Sequence, residues 1–241
     1  MSLALKGFVT ALRPSVKTLT KQDWQGAEHL PDGGFVLAAN HVSHLDPLTL
    51  AHFCVDNHLP PRYLAKASIL DFPVLGRLIR TTQQIPVYRG TATAAEAFSA
   101  AVEAVEEGGA VIIYPEGTIT RDPDLWPMAG KTGAARVALT TGCPVVPVAQ
   151  WGAQEVLAPY TAVPHVLPRK TMHVNVGPPV DLDDLRGRPI DAAVLAEATT
   201  RIMDTIAGLL GEIRGETPPP TRMTVREIKQ RAAERAKGDD A

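Results

Sequence analysis

Only two cysteines, Cys54 and Cys143, occur in 241 residues, too few and too far apart for a disulfide scaffold or a cysteine-rich zinc site. They read as reduced thiols of a cytosolic protein. Charge of one sign is also missing. A formal net charge of -2 leaves no general surplus of Lys and Arg for neutralising phosphates, which excludes a broadly basic nucleic-acid binder. No apolar run approaches the roughly 18 residues of a membrane-spanning helix, and Lys6 interrupts the apolar start before any small-residue cleavage pattern. The chain is therefore expected to keep its N-terminus and not to cross a bilayer. Two catalytic signatures are absent as well. There is no G-x-S-x-G for a serine hydrolase, and Ala129-Gly130-Lys131-Thr132 lacks the upstream glycine of a nucleotide-binding P-loop, Leu125 standing in its place. That segment reads as a helix start.

What is present fits one α/β domain with terminal additions. Leu5, Phe8, Val9 and Leu12 recur at helical spacing until Pro14 interrupts them. Lys6, Arg13, Lys17 and Lys21 precede the first acid, Asp23, so residues 1–30 are expected to form an amphipathic segment that rests on an anionic lipid surface or packs on the domain. From Phe35 onward β-rich runs at 35–39, 62–65, 84–88, 110–114, 145–149 and 172–176 alternate with helical patterns at 47–56, 69–80, 92–107, 132–140 and 192–210. The alternation predicts a central, mostly parallel or mixed sheet flanked by helices over residues 31–215. Pro218, Pro219 and Pro220 then separate a basic C-terminal helix or tail within 216–241. Pro159, Pro164 and Pro168, interleaved with Leu157, Tyr160, Val163, Val166 and Leu167, form an apolar loop expected to fold onto its own domain, with contact to lipid as the alternative.

Two short blocks carry the chemistry. His41 and Asp46 follow a buried-looking strand and precede a helix that opens at Pro47, which puts both at the strand-to-helix edge where α/β sites form. A carboxylate on one imidazole nitrogen fixes the tautomer and frees the other nitrogen to accept a proton from a hydroxyl. The structural alternative is that Asp46 merely caps the helix, with Ser43 or Asn40 serving local backbone donors. A metal set of His41, His44 and Asp46 with His52 nearby is a further alternative, unsupported by any H-E-x-x-H spacing. The second block, Tyr114-Pro115-Glu116-Gly117-Thr118, follows a strong strand. Gly117 lets backbone amides approach an anion, Thr118 offers a hydroxyl, and Glu116, repelled by phosphate, suits an organising role. Lys66 and Arg89 end or follow neighbouring strands and are phosphate candidates, or exposed surface charges; the lysine could instead stabilise an oxyanion.

In these residues the chain resembles the PlsC-like 1-acylglycerol-3-phosphate acyltransferases. Asn40-His41 through Asp46 is similar to that family's H-x4-D block, Ile85 to Arg89 to its second block, Tyr114 to Thr118 to its P-E-G-T block, and Val146-Pro147-Val148 to its fourth. The resemblance covers about Phe35 to Pro179. It implies that His41 is a general base for the acceptor hydroxyl and that Asp46 orients it. It further implies that Arg89, Glu116, Gly117 and Thr118 serve the glycerol phosphate acceptor, that Lys66 lies near the reacting centre, and that Val146 and Pro147 shape the acyl side. The family commonly continues P-E-G-T with Arg-Ser, whereas Ile119-Thr120-Arg121 follows here. An expected phosphate contact is thus missing or moved to Arg121.

The expected reaction moves a fatty acyl group from acyl-CoA or acyl carrier protein to 1-acylglycerol-3-phosphate, with no metal and no cofactor beyond the thioester cosubstrate. Glycerol-3-phosphate or a glycolipid are alternative acceptors. The implied partners are a membrane lipid surface, the acyl donor and a lysophospholipid, with no nucleic acid, and the implied location is peripheral on the cytoplasmic face of the cell membrane. A non-catalytic lipid- or phosphate-binding protein and a metal-dependent hydrolase are the competing classes.

Overall fold

The structure, a computed structural model, describes residues 13–14, 16–60, 62–66, 85–87 and 91–238. The amphipathic stretch Leu5 to Leu12, the helical pattern at 69–80 and Arg89 lie outside the described residues.

Phe35, Val36, Leu37, Ala38 and Ala39 form an unbroken apolar run, all of it buried, as a strand covered on both faces must be. This is β2 (Phe35–Ala39), the centre of the fold. Successive side chains point to opposite sides of a strand. Val36 and Ala38 therefore join one core cluster, with Ala101, Val111, Ala135, Leu195 and Ile202. Phe35, Leu37 and Ala39 join the other, with Leu50, Phe53, Ile112 and Val174.

Seven strands are described: β1 (Thr20–Gln25), β2, β3 (Arg62–Lys66), β4 (Ile85–Val87), β5 (Ala110–Ile113), β6 (Val145–Trp151) and β7 (Lys170–Val176). They lie side by side in the order β1-β7-β6-β2-β5-β3-β4. Every pairing is parallel except β6 with β7, so the expected parallel or mixed sheet is a mixed one. The helices are α1 (Asp46–Asp56), α2 (Thr91–Glu106), α3 (Gly133–Thr141), the single turn α4 (Ala153–Val156), α5 (Ala192–Arg214) and α6 (Val225–Gly238). Leu195, Ala198, Ile202, Met203, Ile206 and Leu210 of α5 are buried, a helical repeat that lays one face of this helix along the sheet. Asp191 caps it, its carboxylate accepting the Val194 N–H at 2.9 Å, and Gly215 ends it in the left-handed region.

One boundary differs from the sequence reading. Thr20–Gln25, placed above in the amphipathic N-terminal segment that rests on lipid or packs on the domain, is the edge strand β1, paired in parallel with β7 from Thr20 to Gln25. The α/β unit therefore begins by Thr20 rather than at residue 31. Its polar sequence conceals it, since only Trp24 faces the core, donating to Asp56 Oδ2 at 3.1 Å and packing edge-on against Phe53. Arg13 also pairs with Asp56. At the other end, the segment before α6 is tied to the domain: the Ala129 N–H donates to Met223 O at 3.0 Å, and Arg222 pairs with Asp204. Thr224 and Glu227 cap α6 reciprocally. Among the described residues no helix is long and apolar enough to cross a membrane.

Candidate active site

Strands β2 and β5 are parallel neighbours, Phe35 opposite Ala110 and Ala38 opposite Ile113. Their carboxyl ends therefore emerge side by side, and the His41 and P-E-G-T blocks meet there as the spacing predicted. The two blocks are laced together through backbone and carboxylate. The His41 N–H donates to Glu116 Oε1 at 3.0 Å, and the Thr120 N–H donates to His41 O at 2.8 Å. Glu116 Oε2 accepts the Met128 N–H at 2.9 Å. Glu116 thus bridges the loop after β2 and the loop leading to α3, and both its oxygens are spent on protein donors. Its carboxyl ties these two loops together. Burial pushes its carboxyl up to about 8, against the opposing pull of the Met128 and His41 amides.

On the other side of β2 a reciprocal amide pair fixes the residue before His41. Asn40 Nδ2 donates to Gln150 O at 3.0 Å, the Gln150 N–H donates to Asn40 Oδ1 at 2.8 Å, and Gln150 Nε2 donates to Asn40 O at 2.9 Å. Both residues are buried. His41 is therefore held from β5 on one flank and β6 on the other. Its ring lies over Tyr114 with centroids 4.3 Å apart and planes 24° from parallel, and Tyr63 stacks behind Tyr114 at 6.4 Å.

Asp46 Oδ2 lies 2.8 Å from His41 Nδ1 and also accepts the Val42 and Ser43 N–H groups at 2.5 and 2.7 Å. The capping alternative is not what this carboxylate does. Leu45 is the N-cap and Asp46 already lies in the first turn of α1, turning back onto the loop that carries the histidine. Asp46 is fully buried, and Oδ1 has no hydrogen-bond partner among the described residues. Burial therefore raises its carboxyl above the usual range, while His41 and the two amides oppose that rise by favouring the ionised form. With Nδ1 committed to Asp46, Nε2 of a half-buried ring is left to exchange a proton with a ligand hydroxyl.

The remaining predicted residues are divided. Gly117 has φ +70°, the left-handed turn that favours glycine, and its N–H closes the turn onto Tyr114 O at 2.9 Å. Thr118 is half-buried beside it. Arg121 lies over the ring of Tyr160, 4.7 Å from its centroid. Lys66 ends β3 opposite Val87, with its side chain outside the described residues. Val146 and Pro147 lie within β6. Val146 sits in mid-strand opposite Leu37, wholly buried among Leu37, Val148 and Val174. Pro147 O accepts the Gly177 N–H at 3.0 Å. Sheet packing accounts for both, so the acyl-side assignment gains nothing from their positions. The metal alternative is not assembled either: His44 is exposed, His52 packs against Trp24 and Asp56, and among the described residues no group of three His, Cys, Asp or Glu is disposed to hold a metal ion.

Sequence reasoning missed Gln150 and Lys131. Gln150 gave one usable signal, a polar residue inside the apolar run Val145–Trp151. Lys131 lay in the rejected P-loop look-alike, yet an ideal Cβ on Gly117 would come within 2.6 Å of its Nζ.

Comparison with known proteins agrees with this geometry. A family model described as Acyltransferase matches residues 21–151. The chloroplastic 1-acyl-sn-glycerol-3-phosphate acyltransferase BAT2 of Brassica napus is 32% identical over 146 residues, covering 59% of this chain and 41% of that protein. The 1-acyl-sn-glycerol-3-phosphate acyltransferase of Bacillus subtilis is 29% identical over 150 residues, covering 62% of this chain and 68% of that protein. The chain thus matches about two fifths of the length of the Brassica relative. The crystal structure of the 1-acyl-sn-glycerophosphate acyltransferase PlsC from Thermotoga maritima shares the fold, with a TM-score of 0.67 at 20% identity, covering 89% of this chain and 81% of that one.

Proposed function

The chain belongs to the Acyltransferase family, and from that premise we propose that it transfers a fatty acyl group from an acyl thioester to the free hydroxyl of 1-acylglycerol-3-phosphate, giving phosphatidate. The observation that carries this reading is the contact between His41 Nδ1 and Asp46 Oδ2 at 2.8 Å, at a strand edge where the histidine backbone is held by Glu116 and Thr120.

The acceptor hydroxyl hydrogen-bonds to His41 Nε2 and attacks the thioester carbonyl while its proton passes to the imidazole. A tetrahedral oxyanion forms, the carbon–sulfur bond breaks, and the departing thiolate of CoA or acyl carrier protein takes the proton back. Asp46 stabilises the imidazolium between the two transfers. A thioester is already activated, so positioning and one base suffice, and no covalent acyl-enzyme is required. Thr118 offers its hydroxyl to the acceptor. Lys66, at the end of β3, and Arg89 are assigned to the phosphate or the oxyanion.

A lipid acceptor calls for contact with a bilayer surface, and we assign that contact to the loop between α4 and β7, with the protein peripheral on the cytoplasmic face. Tyr160, Val163 and Leu167 are 49%, 64% and 76% exposed, an apolar patch that water does not favour. The loop adjoins the site, because Ser43 Oγ donates to Leu157 O at 2.7 Å and the Tyr160 hydroxyl donates to Ile119 O at 2.6 Å.

The test is product formation. Purified protein with palmitoyl-CoA is offered lysophosphatidate, glycerol-3-phosphate and monoacylglycerol in separate reactions, and product lipids are identified by mass spectrometry. Phosphatidate formed from lysophosphatidate supports the reading. Acylation of glycerol-3-phosphate alone would replace the acceptor, and no product with either CoA or acyl carrier protein donors would remove the activity.

A further inference from the structure

The P-E-G-T turn is followed by Ile119 and Thr120, and Arg121, the nearest arginine in sequence, is stacked on Tyr160. The cation that stands on the turn comes from further along the chain. Lys131 Nζ lies so close to Gly117 that a Cβ there would meet it at 2.6 Å, and its Cε and Cδ at 3.0 and 3.2 Å. The whole end of the side chain is laid across the glycine. The main chain fixes this approach, since the Lys131 N–H donates to Pro115 O at 2.8 Å.

Of the cations beside the loop from Gly117 to Lys131, Arg121 and Arg214 are committed. Arg121 faces the Tyr160 ring. Arg214 lies between Trp126 and Trp151, donates to Asp124 O at 2.8 Å and pairs with Glu216. Lys131, by contrast, is exposed and has no acidic partner among the described residues. Glu116, one residue from Gly117, forms no ion pair with it: its two oxygens accept the His41 and Met128 amides. An ammonium held over a glycine turn and left unpaired is disposed to meet an anion.

We propose that Lys131 binds the phosphate of the acceptor and sets the preference for a phosphorylated over an uncharged glycerol lipid. The proposal rests on the acyl-transfer reading above. His41, which must touch the acceptor hydroxyl, is hydrogen-bonded through its N–H to the residue preceding Gly117. A phosphate attached to the same glycerol, only a few bonds from that hydroxyl, therefore falls within reach of a cation seated on Gly117. The left-handed φ of Gly117 makes the turn, and with no side chain there the lysine arm lies directly across it.

Substitution of the side chain does not touch the main-chain bond to Pro115, so Lys131→Ala and Lys131→Arg are expected to fold. The experiment has two arms. Binding of sn-glycerol 3-phosphate, read by titration calorimetry, is compared for wild type and both variants without any turnover. Steady-state kinetics with palmitoyl-CoA then give KM and kcat for lysophosphatidate and for monoacylglycerol, together with KM for the donor. Lys131→Ala is expected to weaken glycerol phosphate binding and raise the lysophosphatidate KM by about tenfold or more while kcat changes less than about threefold, the pattern of a lost binding contact. Lys131→Arg is expected to restore most of both, and the ratio of lysophosphatidate to monoacylglycerol use falls only in the alanine variant. Unchanged binding and acceptor KM in Lys131→Ala would overturn the proposal, as would a rise confined to the donor KM, which would assign the lysine to the phosphates of CoA. A wild type that binds glycerol phosphate through Lys131 yet acylates no acceptor would leave the contact standing and overturn the acyl-transfer reading instead.

Discussion

The edge shared by β2 and β5 and the loop from Leu157 to Arg169 border the same site and are built in opposite ways. At the edge Asn40, Asp46, Glu116 and Gln150 are all buried, and their side-chain polar atoms other than Asp46 Oδ1 and Gln150 Oε1 are matched to named partners. In the loop Tyr160, Val163 and Leu167 are exposed, and it is attached to the site by the hydroxyls of Ser43 and Tyr160 and by Arg121 over the Tyr160 ring. Proton transfer needs groups held to within a fraction of an ångström, which the edge provides. Engagement of a fluid lipid surface needs apolar side chains free to leave water, which the loop provides.

The largest effect should come from neutralising Asp46. Asp46→Asn can still turn an oxygen toward His41, Val42 and Ser43, leaving its NH2 on the side where Oδ1 has no partner. The variant should fold while turnover falls about 10²–10⁴-fold, because the imidazolium loses its counter-charge. Turnover within a few-fold of wild type would show that the edge is rigid for reasons other than proton transfer.

Glu116→Gln separates structural from chemical roles within the same edge. An amide can accept from only one of the His41 and Met128 N–H groups, and the other is left facing an NH2, at a cost of about 1–3 kcal/mol. The pH dependence carries a sign. The folded-state carboxyl titrates near 8 and its ordinary value is 4.5, so between those values the folded chain holds a proton that the unfolded chain has lost. Wild-type stability must then fall as pH rises through that window, by at most about 1.4 kcal/mol per pH unit from this group. The variant lacks this contribution, so its deficit should shrink from pH 5 to pH 8.5 in denaturant titrations. A deficit that grows with pH would reverse the assignment.

On the loop, Val163→Asp with Leu167→Asp should reduce binding to anionic vesicles several-fold and leave the melting temperature nearly unchanged, since both side chains are mostly exposed. Loss of stability without loss of vesicle binding would make the loop a packing element. The smallest effect belongs to Tyr160→Phe, which removes one hydrogen bond to Ile119 O and should cost about 0.5–1.5 kcal/mol, read as a modest fall in melting temperature.

The same contrast explains what could be read from the sequence. β2, β5 and β6 are continuous apolar runs, and a strand buried on both faces announces itself without any partner being known. His41, Asp46 and Glu116 were legible because each lies within a few residues of such a strand's end. β1 was not, since an edge strand buries little and Thr20-Lys21-Gln22-Asp23 carries no apolar alternation. That Val146 and Pro147 sit in mid-strand was not legible, because a motif's position along the chain does not tell mid-strand from strand end. Lys131 was hidden for a third reason. Its approach to Gly117 is a contact between residues fourteen apart in sequence, set by how the loop from Thr118 to Gly130 closes, and no local pattern encodes that closure.

The most direct test of the account is turnover by His41→Ala, measured as acceptor-dependent thiol release from palmitoyl-CoA with lysophosphatidate vesicles, alongside thermal melting of the same preparations. The backbone bonds of residue 41 to Glu116 and Thr120 do not involve the ring. The account predicts a folded protein with the melting temperature little changed and acceptor-dependent release abolished. Release at the wild-type rate from a folded His41→Ala protein would contradict it.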